Sequence, residues 1–85
     1  MIIEPLQPQE TLNATGNTVD NGVAVYVHNA HTAAVTISRT TSADVAIGDF
    51  QLASKTAVIV RKDATDKLTS SNTTLVKATK VGFRL

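Results

Sequence analysis

The densest apolar run in the chain is Ala57-Val58-Ile59-Val60. A strand apolar on both faces belongs in the middle of a core, because neither side tolerates water. A polar link, Ala53-Ser54-Lys55, separates this run from a second strand-like piece ending in Phe50 and Leu52. Two β-prone segments with a short polar link predict a hairpin, here spanning 50–63. The other strands are expected to pack on it, so Val58→Asp is expected to unfold the domain.

Alternation supplies the remaining strands. In Val23-Ala24-Val25-Tyr26-Val27-His28-Asn29 the valines share one face, which reads as the core face. Ala33 to Arg39 follows after a short turn, with Val35 and Ile37 facing in, and the brief link predicts antiparallel pairing with the strand before it. Asp20-Asn21-Gly22 reads as a turn, since Asn and Gly both tolerate positive φ. Val45-Ala46-Ile47 reads as a short extension or bend. Asp63 is expected to cap a single helical turn reaching Leu68, which carries the chain from one sheet to the other. Thr69 to Thr74 reads as a polar loop. In the last strand Val81, Phe83 and Leu85 share a face expected to be buried.

Thr, Val and Ala are abundant and the strong helix formers Leu, Glu and Lys are sparse, so the fold expected is all-β. The pattern fits a small β-sandwich, Ig-like or jelly-roll-like, of about six or seven antiparallel strands. Residues 1–10 read as an extended arm, because Pro5 and Pro8 fix φ and remove two donors. Residues 11–85 read as one domain. Ile2, Ile3 and Leu6 in the arm each gain about 1.5–3 kcal/mol on burial, so the arm is expected to dock on its own sheet or on a neighbouring subunit.

At 85 residues the chain buries only about 60% of its unfolded surface, and without cysteine it has no disulfide to compensate. Oligomerisation or docking on a larger body is the remaining route to stability. The net charge of +1 and the few aromatics argue against a nucleic-acid partner. No apolar run is long enough for a membrane helix. The first residues lack the pattern of a signal peptide, so synthesis in a cytoplasm is expected.

Catalytic chemistry is not visible. His28 and His31 are the only histidines, and no third ligand stands at a fixed spacing, so they read as surface residues beside a turn. The carboxylates fall mostly in turns, where Asp serves the backbone. No nucleophile elbow or phosphate-cradling glycine loop is present. No enzyme activity, cofactor or metal is therefore expected. Lys55, Arg61 and Lys62 cluster on the rim of the 50–63 hairpin. They read either as charge that keeps strand edges from mispairing or, with Ile2, Ile3 and Leu6, as a partner-contact surface.

Three stretches carry a resemblance. They are Val23 to Asn29 followed by Thr36-Ile37-Ser38, then Phe50 to Asp63, then Ala78-Thr79-Lys80-Val81-Gly82-Phe83. In this pattern the chain is similar to small all-β virion structural proteins of tailed bacteriophages, of the capsid decoration or cement type. The resemblance implies a subunit of the virion, made in the host cytoplasm, that binds the major capsid protein or other virion subunits. It also implies a homo-oligomer, with a trimer as one form, and it carries over no site residue. A neck or tail subunit, or a small carbohydrate-binding or adhesion module using Tyr26, are the alternatives.

Overall fold

The computed structural model describes residues 2–84. Its strands are β1 (Ile2–Pro5), β2 (Glu10–Thr11), β3 (Ala24–Asn29), β4 (Val35–Thr40), β5 (Ala46–Leu52), β6 (Ala57–Arg61), β7 (Lys67–Ser70) and β8 (Val76–Arg84). The chain is an all-β sandwich of two antiparallel sheets, with no helix among the described residues. One sheet has the order β1-β8-β3-β6, with β2 also on β8, and the other has the order β5-β4-β7. Eight strands exceed the expected six or seven because the proline-bearing arm and the residues after it contribute two short ones.

The links cross between sheets where hairpins were expected. β3 pairs with β6 and β8, never with β4, and β5 pairs with β4, never with β6. Both the 30–34 link and the 53–56 link are therefore arches between the layers. A short polar link suits an arch as well as a hairpin, so local sequence does not separate them. β6 to β7 crosses again, as expected, but through a turn in which Asp66 N–H donates to Asp63 O, not through a helical turn. Because β3 pairs with β6 while β4 pairs with β7, the two crossing pairs interlock, as strands B–E and C–F do in Ig-like sandwiches.

The core lies between Val25 and Val27 of β3, Val35 and Ile37 of β4, Leu68 of β7, and Val76 and Ala78 of β8, with Leu12 and Val19 inserted from the connecting segment. The 57–60 run is not central. β6 is a sheet edge, with Val58 37% and Ile59 40% exposed. Val58→Asp should therefore be absorbed at the rim and should not unfold the domain. Val23 precedes β3 and is exposed. Val45 lies in the loop before β5, which starts at Ala46, and Thr69 and Ser70 belong to β7 and not to a loop. On β8, Val81 is buried apart from the core cluster, Phe83 is exposed, and Leu85 lies outside the described residues.

The arm lies on its own sheet. β1 runs antiparallel to the end of β8, pairing Ile3 with Phe83 and Pro5 with Val81. Leu6 N–H continues to Lys80 O, and the Gln7 side chain accepts from Lys80 N–H. The radius of gyration, 11.8 Å, matches the value of about 12 Å for a compact chain of this length. An arm extended away from the body would raise it.

The predicted Asp20-Asn21-Gly22 turn forms, closed by Gly22 N–H on Val19 O, and the left-handed stretch begins one residue earlier. Val19, Asp20 and Asn21 all have positive φ, at 51°, 54° and 56°. A left-handed L-residue costs about 1–2 kcal/mol, and a β-branched one is an outlier. Tertiary and local contacts hold it together: Val19 is fully buried and Lys80 Nζ bonds Asp20 Oδ2 at 2.9 Å, while locally Val19 N–H donates to Asn17 Oδ1 at 2.7 Å. Gly22 is required by space, since a Cβ there would meet Lys80 Cγ at 2.9 Å and Val19 O at 3.1 Å.

Candidate contact surfaces

The two ends of the sandwich are closed by polar side chains that continue the inward parity of their strands. Asn29 follows Val25 and Val27 on the core face of β3 and is fully buried. Its Nδ2 donates to Leu52 O at 3.0 Å, with Ala33 O and Ala53 O also within hydrogen-bond reach, and its Oδ1 accepts from His31 N–H. One neutral side chain so joins the end of β3, the 30–34 arch and the 53–56 arch. Ser54 Oγ to His31 O and Lys55 Nζ to Ala30 O, at 2.7 Å, tie the arches further.

At the opposite end the closure is charged. Arg39 follows Val35 and Ile37 inward, and its Nε and Nη2 lie 2.8 and 2.6 Å from Asp66 Oδ2. Asp63 Oδ2 is 3.6 Å from the same guanidinium, and Asp63 N–H donates to Asp66 Oδ2. The Arg39 hydrogen bond holds the Asp66 carboxyl below the usual aspartate value. Lys62 follows Val58 and Val60 inward and is fully buried, its Nζ donating to Asp63 O and Ala64 O at 3.3 Å. Burial lowers its pKa below the ordinary lysine value, Asp66 and Asp63 oppose this, and Arg39 adds to it. Lys62 is thus withdrawn from the rim where its charge suggested it would stand.

The other predicted contact residues are split between two edges. Ile2 and Leu6 are exposed and Ile3 is half-buried, all at the β1 edge of the larger sheet. Lys55 and Arg61 are exposed at the β6 edge. Three strand spacings separate β1 from β6, about 14 Å, so these residues do not form one patch. The residues missed were Val58 and Ile59, assigned to the core although they are the apolar part of the β6 edge. The signal for Lys62 was available, because period-two alternation from Val58 and Val60 reaches it.

No group of three His or carboxylate side chains converges as a metal site among the described residues. Tyr26, the residue an adhesion module would use, is only half-buried and lies opposite Ile59 on the outer face. Comparisons with family models, curated proteins and solved structures find no match to this chain.

Proposed function

We propose that the chain is a non-enzymatic structural subunit of a phage virion, of the decoration or cement type, acting as a homo-oligomer on a shell of major capsid protein. The observation that carries the reading is an apolar strand left at a sheet edge, with Val58 and Ile59 in water, in a chain too small to leave such surface uncovered cheaply. The resemblance carried by Val23 to Asn29, Phe50 to Asp63 and Ala78 to Phe83 supports the virion as the setting. The mechanism is burial of strand edges against neighbours. Each contact is weak, and many copies on a regular shell add through avidity.

The test is direct. Mass spectrometry of purified particles should find the chain, and added protein should co-sediment with shells that lack it. Particles without the chain, together with shells that do not retain it, would remove the virion reading.

A further inference from the structure

Four sheet edges exist in this sandwich, and among the described residues three are blunted. The β1/β2 edge is short and interrupted by Pro5 and Pro8. The β7 edge is covered: Leu68 exchanges backbone bonds with Asn17, at 3.0 and 2.9 Å, and Ser70 N–H donates to Asn13 O. β5 carries Gly48 and Asp49 mid-strand and a register shift at Arg39/Thr40. β6 has no proline and no bulge, its register against β3 is continuous, and its charges, Arg61 and the inward Lys62 that follows it, stand at one end and leave Ala57–Val60 apolar. This is the most apolar run in the chain, and an unprotected edge of this kind is a template for another strand.

We propose that β6 pairs with β6 of a second copy, antiparallel about a two-fold axis at Ile59, joining the two larger sheets into one. The backbone sets the register. Asn29 N–H donates to Thr56 O and Lys62 N–H donates to Val23 O, so the even-numbered residues of β6 bond to β3. Ala57, Ile59 and Arg61 therefore turn their N–H and C=O groups to the free edge. Antiparallel pairing through those residues is complete when Ile59 meets Ile59 and Ala57 meets Arg61 of the second copy. Side-chain parity is kept, since Val58 then meets Val60 on the core side.

Charge supports the same register. With Ile59 on the axis, the turn that carries Lys55 just before β6 in each copy lies beside the residues that follow β6 in the other, Asp63 among them. Lys55 is exposed, and the Asp63 side chain is 70% exposed. Lysine has three donors, so Lys55 keeps its bond to Ala30 O while reaching a carboxylate. An exposed pair of this sort adds little affinity and chiefly fixes register. The arrangement deepens the self-association part of the functional reading and does not depend on a capsid.

Light scattering on the purified chain should give twice the 9.0 kDa chain mass. Ile59→Pro removes an outward N–H and leaves the β3 ladder intact, so it should give a folded chain of single mass. Ile59→Cys, in a chain with no native cysteine, should oxidise to a disulfide-linked pair, while Val45→Cys, exposed but remote from the axis, should not. A complementary mixture covers the case in which the proline variant fails to fold. Lys55→Asp alone and Asp63→Lys alone should each shift toward single mass, and mixing them should restore the pair. Single mass at every concentration reached, a trimer, or a dimer indifferent to Ile59→Pro would overturn the pairing. A single-mass chain whose shell binding is lost in Ile59→Pro would overturn it too, assigning the edge to a capsid strand and leaving the virion reading standing. A confirmed dimer that binds no shell would do the reverse.

Discussion

The two ends of the sandwich solve one problem in different ways. Where strands change sheets, backbone and side-chain polar groups are drawn inward and need partners. The Asn29 end is closed by a neutral amide that reaches three carbonyls and one N–H, with Lys55 Nζ on Ala30 O as a charged tie at its surface. The Arg39–Asp66 end uses ions, brings in the buried Lys62, and leaves Thr40 Oγ1 buried with no partner among the described residues. The Asn29 amide bonds should therefore be indifferent to pH and salt, and the Arg39–Asp66 end should respond to both.

The largest effect should come from breaking the neutral end. Asn29→Ala removes the Nδ2 donor from Leu52 O and Ala33 O and the Oδ1 acceptor from His31 N–H, while Ala53 O keeps its bonds from Thr56. A loss of about 3 kcal/mol is expected in denaturant unfolding, at roughly 1–3 kcal/mol for each buried group left unsatisfied. The loss should be the same at low and high salt.

Asp66→Asn should lower the melting temperature by less than Asn29→Ala and should remove part of the acid dependence. The folded pKa of Asp66 is depressed, so its stabilisation is present above the unfolded value and is lost as pH falls through the folded one. Melting curves below pH 4 should therefore be flatter for the variant than for the native chain. An unchanged acid limb would mean that Arg39 is not the partner that matters.

Thr40→Val keeps the β-branched shape and removes the orphan hydroxyl. It should stabilise the fold by about 1 kcal/mol, because a buried group without a partner is destabilising. A loss of stability would show that Thr40 does have a partner.

The smallest effect near neutral pH should come from Lys62→Met, since replacing a buried charge by an apolar side chain of similar length is often neutral. Its signature is alkaline. The folded pKa of Lys62 is lowered, so between that value and 10.5 the unfolded chain binds more protons and native stability rises with pH. The difference between the native chain and the variant should shift in favour of the native chain across that window. A constant difference would place the Lys62 ammonium in water.

Much of this was legible from period-two alternation alone. Val25 and Val27 lead to Asn29, Val35 and Ile37 to Arg39, and Val58 and Val60 to Lys62, and each of these polar residues closes the core at the end of its strand. The contact surface was less legible. Ile2, Leu6, Lys55 and Arg61 are exposed, but they stand at opposite edges, and nothing local encodes which strands lie between them.

Strand preference and alternation, which are properties of neighbouring residues, make the chain all-β and set the inward faces of β3 and β4, but on β8 they point to Val81 and Phe83 where Val76 and Ala78 carry the core face. Long-range packing makes the 30–34 and 53–56 links arches, puts β6 at an edge, and keeps Val19 in a left-handed backbone. A short polar link closes a hairpin or an arch at similar local cost, and the choice is made by which pairing buries the inward faces of both sheets together. The run Ala57–Val60 shows the consequence: its composition fits a core strand, and its position at an unprotected edge makes it a surface for pairing.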